Sequence, residues 1–209
     1  MRDQPGEAGF LSLIDGLDEA GEEDLLRALS LHEAQGIDAD WPSWAHHGQL
    51  PPDGDWRTWV IMAGRGFGKT RAGAEWVMAA VRGGSSPPAR GRGLGGGPAE
   101  SAQCPPPNPL PQAGGEIALR IALVAATLDE ARRVMVEGRS GLLNVAADWI
   151  EEWHPSLRQL KFKGGAEATL FSGASPEALR GPEHHLAWCD ELAKWEQPEA
   201  TWDMLQLGL

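Results

Sequence analysis

Ala63-Gly64-Arg65-Gly66-Phe67-Gly68-Lys69-Thr70 sets alternate glycines ahead of a lysine and a threonine, after the apolar run Trp59-Val60-Ile61-Met62 and before a helix-like segment. Small residues let successive backbone N–H groups wrap an anion, a lysine adds a point charge, and a hydroxyl can ligate a hard cation. The chemistry implied is a grip on ATP in a strand, phosphate loop, helix arrangement. Lys69 is expected on the β- and γ-phosphates and Thr70 on Mg²⁺, with Gly64, Arg65, Gly66, Phe67, Gly68 and Arg71 around the nucleotide and the helix N-terminus adding partial positive charge. Ala63 stands where the usual G-x-x-x-x-G-K-[ST] pattern has its first glycine. Arg65 is unusual inside such a loop, and reads either as a solvated charge or as a residue aimed at phosphates on its own or a neighbouring subunit.

Further along, Leu186-Ala187-Trp188-Cys189 ends in Asp190-Glu191, which reads as a buried strand ending at a site. Alone, an acidic pair after a strand more often starts a loop or caps a helix. Together with the phosphate loop it predicts a hydrolytic pair, in which Asp190 holds Mg²⁺ through water and Glu191 polarises the attacking water. The catalytic candidates are then Glu191, Lys69 and Arg65, and the cofactors ATP and Mg²⁺.

These residues need a sheet to hold them. After the loop, Gly73, Val77, Ala80 and Val81 share one helical face, and Gly83-Gly84 supplies a stop. Arg120-Ile121-Ala122-Leu123-Val124-Ala125 reads as a second buried strand, and Thr127-Leu128-Asp129-Glu130 as a capping box for the next helix. Gln159 to Phe171 looks like two short strands around Gly164-Gly165, and the loop from Ser172 to Pro182 carries Arg180. The expected fold is α/β, a P-loop NTPase with a mostly parallel central sheet flanked by helices. Residues 1–55 read as a helical lid or docking segment and a connector, in which a tryptophan or the Gln49 amide either contacts adenine or serves packing and turn formation. Residues 56–209 form the core, interrupted at about 83–116 by a glycine- and proline-rich insertion, expected to be disordered, with Gly95-Gly96-Gly97 and Pro105-Pro106-Pro107.

At 209 residues the chain suits one sizeable domain with a small attachment. Its formal charge of −12 argues against a surface that grips nucleic acid permanently, but a motor needs only a local basic rim, and the acidic excess is strong in the first 55 residues. No apolar run has the length of a membrane span and the N-terminus lacks a secretory pattern, so the cytoplasm is expected. Cys104 and Cys189 read as plain thiols, and the pairs His46-His47 and His184-His185 lack the stacking of a metal site.

Read together, Gly64 through Trp76, Leu179-Arg180-Gly181-Pro182, Trp188-Cys189-Asp190-Glu191-Leu192-Ala193-Lys194-Trp195 and Thr201-Trp202-Asp203-Met204-Leu205 resemble the large terminase subunit of tailed phages, most of all the subgroup of prophages and gene transfer agents. The resemblance runs from about Trp41 to the last residue, outside the insertion. It implies an ATPase that assembles as a homo-oligomeric ring with a portal protein and a small terminase subunit, and drives double-stranded DNA into a procapsid. By motif, Lys69 and Thr70 match the family's phosphate and Mg²⁺ ligands, Asp190 its metal-holding acid and Glu191 its catalytic carboxylate. The family's coupling motif and nuclease domain have no counterpart here, and Leu205-Gln206-Leu207-Gly208-Leu209 reads as a cut through a continuing domain. An arginine from a neighbouring subunit, with Arg65 and Arg180 as candidates, is expected to complete the site. The competing readings are a helicase-like ATPase, which would need a second recombinase-like domain, and a truncated module that binds nucleotide or a partner without turnover.

Overall fold

The computed structural model describes residues 41–52, 56–83 and 118–209. The expected N-terminal helix, the Gly/Pro-rich insertion and Cys104 lie outside them. Residues 41–52 belong to one compact unit, and the remaining described residues belong to a second. In the first, Trp41–Trp44 makes one helical turn and His47–Gln49 a 3-10 turn. The Gln49 side-chain oxygen accepts a hydrogen bond from the His46 backbone N–H at 2.8 Å, which spends that acceptor on turn formation.

The second unit is built on a five-stranded sheet. Its strands are β1 (Arg120–Ala125), β2 (Ile150–His154), β3 (Gln159–Phe162), β4 (Glu167–Ser172) and β5 (Leu186–Cys189), in the order β2-β3-β4-β1-β5. β1 lies between β4 and β5 and is parallel to both. Its uninterrupted apolar sequence fits a strand covered on both faces. Ile121, Leu123 and Ala125 enter one core with Val77, Met78, Met135, Leu142 and Trp188. Ala122 and Val124 enter the other with Phe171, Leu179, Trp195 and Leu205.

The helices that cover these faces are α1 (Lys69–Val81), α2 (Leu128–Glu130, continued by π-helical turns over Ala131–Val136), α3 (Leu142–Val145) and α4 (Pro198–Gly208). On α1 the expected face is buried at Gly73, Val77 and Ala80, and the helix stops against Gly83 at φ +94°. The Thr127 hydroxyl accepts the Glu130 backbone N–H at 3.1 Å, as the capping sequence predicts. α1, α2 and α3 contribute to the first core, and α4 contributes Leu205 to the second. Among the described residues no helix is long and apolar enough to cross a membrane.

Two expectations are corrected. The sheet is mixed and not mostly parallel, because β2 pairs antiparallel with β3 and β3 antiparallel with β4. The reason is local: Gly164 and Gly165 take positive φ (+94° and +89°) in the turn between β3 and β4, and a connection that short can only reverse the chain. Second, Trp59-Val60-Ile61-Met62 does not join the sheet. Trp59 and Ile61 are half-buried while Val60 and Met62 are 67% and 90% exposed, so the chain alternates as an extended segment should. A ladder needs a neighbour to supply N–H and C=O groups, and among the described residues no strand pairs with this segment.

Candidate phosphate and acidic site

The glycine-rich loop ahead of α1 is shaped by its glycines. Gly66 and Gly68 sit at φ +85° and +87°, in the left-handed region that a side chain disfavours. Gly68 is also the N-cap of α1, so the left-handed turn delivers the chain into the helix with Lys69 and Thr70 as its first two residues. Gly64 takes an ordinary φ and a Cβ there would meet open space, so its value lies in leaving that space free. The Lys69 ammonium donates to the carbonyls of Ala63 (2.8 Å) and Gly64 (2.9 Å), folding the loop back over the start of the helix. Arg65 stands exposed in the turn and Phe67 is half-buried. Arg71 bonds Glu75 one turn along α1, at 2.7 Å from Nε. Burial raises the Glu75 pKa above the ordinary carboxylate value although Arg71 pulls it down.

The acidic pair stands where the sequence put it, at the carboxyl end of β5. The Asp190 backbone N–H bonds the Val124 carbonyl of β1 at 2.8 Å and continues the ladder one residue past the strand. The Asp190 carboxyl is held above the ordinary range first by burial and next by the charge of Glu191, against the opposing fields of Lys69 and Lys194 and with a small further push from Glu130. Lys69 and Asp190, 121 positions apart (190 − 69), therefore share one electrostatic neighbourhood. Glu191 adopts φ +44°, ψ +51°, a left-handed conformation rare for a residue with a side chain, and its carboxylate is ion-paired with Lys194.

What joins loop and acids is a helix-on-strand contact. A Cβ on Gly73 of α1 would fall 2.3 to 2.6 Å from three atoms of the Trp188 indole on β5, so only glycine lets the helix come this close. Arg180 lies apart from this contact in chain order, exposed and ion-paired with Glu177 at 3.3 Å. Cys189, whose thiol burial pushes up to about 12, is an inert thiol of the strand. Sequence reasoning placed Gly73 on a helical face and Trp188, Lys194 and Trp195 within the motifs, but gave none of them a role in the site. The motif Asp190 through Trp195 contains two of them, but nothing in the types or spacing says that Lys194 pairs with Glu191 or that Trp195 folds under Asp190.

Hard oxygen donors suit Mg²⁺, which takes one or two protein ligands and completes its shell with water and phosphate. The Thr70 hydroxyl and the Asp190 carboxylate fit that donor set, and among the described residues no cluster of three or more His, Cys, Asp or Glu forms a self-sufficient metal cage.

Compared with known proteins, residues 60–209 match a family model described as the terminase large subunit, T4-like-virus type, N-terminal. Neither the curated proteins nor the solved structures give a match.

Proposed function

From the premise that the chain belongs to the terminase large-subunit family, with residues 60–209 corresponding to its N-terminal part, we propose that it is the ATP-hydrolysing portion of a DNA-packaging motor. The observation that carries this is the packing of α1, which begins at Lys69, against β5, which ends just before Asp190, through the close approach of Gly73 to Trp188. In this reading the left-handed loop wraps the phosphates with its N–H groups, and Lys69 exchanges the Ala63 and Gly64 carbonyls for phosphate oxygens. Thr70 and Asp190 would hold Mg²⁺, which when bound would supply positive charge beside the phosphates. Glu191 takes a proton from the attacking water, which must compete with the Lys194 ammonium for that carboxylate. An arginine adds charge stabilisation: Arg65 from the loop, or Arg180 across a subunit interface. The partners are double-stranded DNA, a portal protein and a small terminase subunit, with a homo-oligomeric ring at the procapsid in the host cytoplasm.

Single-turnover hydrolysis of ATP by the purified chain tests the proposal. Lys69→Ala should lose nucleotide binding or turnover, and Glu191→Gln should keep binding and lose hydrolysis, because an amide cannot accept the proton. Full turnover in Glu191→Gln refutes the assignment. A second reading, a nucleotide-binding module without turnover, is favoured by the segment Trp59 to Met62 ahead of the loop, which joins no strand among the described residues. It predicts ATP binding with no hydrolysis above that of Glu191→Gln.

A further inference from the structure

The turn that carries the acidic pair is held from below by one side chain. Trp195 is 4% exposed and packs in the second core with Val124, Phe171, Leu179 and Leu205. Its indole N–H donates to the Asp190 carbonyl at 3.0 Å. Between these two residues the chain closes tightly, with the Lys194 N–H on the Glu191 carbonyl (2.8 Å) and the Trp195 N–H on the Leu192 carbonyl (3.1 Å). Glu191, inside that closure, is the residue forced to φ +44°. A left-handed non-glycine residue persists only where its surroundings over-determine it, and the indole bond is the side-chain part of that constraint.

The seat of the indole is equally defined. A Cβ on Gly173 would fall 2.5 Å from Trp195 Cγ. Gly173 is fixed in turn: its N–H bonds the Ala125 carbonyl at 2.7 Å, and its carbonyl accepts the Thr201 hydroxyl at 2.9 Å. The ends of β1, β4 and β5 and the first turn of α4 are thus tied together around one ring.

We infer that Trp195, seated on Gly173, is a positioning residue that holds Asp190 and Glu191 in the geometry hydrolysis needs. This rests on the proposed ATPase reading, and the test separates the two. Trp195→Phe keeps most of the ring packing and removes the N–H. Gly173→Ala pushes on the same ring from the other side. Trp153→Phe is the control, since it removes an indole bond of the same kind, to Glu137 at 3.1 Å, on the β2 edge of the sheet.

In single-turnover and steady-state hydrolysis, both Trp195→Phe and Gly173→Ala should lower kcat by roughly tenfold or more while KM for ATP stays within about twofold, the signature of an interaction realised in the transition state. Trp153→Phe should match the wild type. Amide exchange gives a readout independent of activity: in Trp195→Phe the N–H groups of Lys194 and Trp195 should exchange faster while those of β1 stay protected. A wild type that hydrolyses ATP beside a Trp195→Phe variant with unchanged kcat overturns the inference and leaves the ATPase reading standing. Unchanged exchange at Lys194 and Trp195 also overturns it. A wild type without hydrolysis overturns the ATPase reading and, with it, the positioning role given to the tryptophan.

Discussion

Gly73→Ala sets local propensity against tertiary packing at the contact that joins the two halves of the site. Alanine inside a helix is favoured over glycine by about 1 kcal/mol, so a reader of the sequence alone would expect a stabilised α1. The structure reverses the sign. The new methyl would lie 2.3, 2.5 and 2.6 Å from Trp188 Cε2, Nε1 and Cζ2. Carbon atoms in contact prefer about 3.5 to 4.0 Å, so the helix and strand must part by roughly an ångström. Trp188 is buried in the first core, and close-packed interiors resist such a displacement. Overpacking of this kind costs about 1–3 kcal/mol, and three simultaneous overlaps with an aromatic ring place it at the upper end. Net of the helix gain, the expected loss is about 2 kcal/mol, or a fall in Tm of roughly 4–8 °C for a chain of this size. The separation also draws Lys69 away from Asp190, and a misplacement of about 1 Å can lower turnover by about 10²-fold. Thermal unfolding by circular dichroism and single-turnover hydrolysis read the two effects. Trp188→Leu in the Gly73→Ala background should recover part of the stability, giving a coupling energy that neither single variant explains. A Gly73→Ala protein with a raised Tm and unchanged turnover would mean that α1 does not rest on Trp188, and the site would lose its mechanical basis.

Two further outcomes follow from buried charge. Because the folded-state pKa of Asp190 is raised, its contribution to stability is fully present below the unfolded carboxylate value and is lost as pH rises through the folded value. At neutral pH Asp190→Asn should therefore raise the Tm of the nucleotide-free chain while abolishing Mg²⁺-dependent hydrolysis, and a lowered Tm would contradict the strain assigned to this carboxylate. His184 is buried against Phe171 at a ring separation of 5.2 Å, and its Nε2 has no hydrogen-bond partner among the described residues. Burial, then the charges of Arg120 and His185, lower its pKa, so the stability it contributes is present above the ordinary imidazole value and is lost as pH falls through the folded value. The fall in Tm from about pH 7 to about pH 5 should shrink in His184→Phe, with His185, shifted the same way, accounting for part of what remains. An unchanged fall would place the acid sensitivity elsewhere.

Much of the local structure around the candidate site was legible because its rules are local. Left-handed Gly66 and Gly68 follow from where a phosphate loop must turn, the Thr127 cap from a hydroxyl three residues before Glu130, and the β3 and β4 hairpin from Gly164-Gly165 between apolar runs. The unbroken apolar run of β1 announced a strand covered on both faces, and the apolar run before Asp190-Glu191 announced another strand that ends at the acids. Each of these depends on the preferences of a few adjacent residues. β2 was not legible: Ile150-Glu151-Glu152-Trp153-His154 carries two exposed acids and forms a strand only because β3 returns beside it. The same condition, applied in the other direction, left Trp59 to Met62 without a ladder although their apolar character predicts a strand. Tertiary structure alone decided that Gly73 meets Trp188 and that Gly173 meets Trp195. A glycine's missing methyl and a carboxylate's pKa are properties of whatever comes to lie opposite, and residues 73, 173 and 195 acquire their neighbours only when the sheet brings distant segments to the same edge.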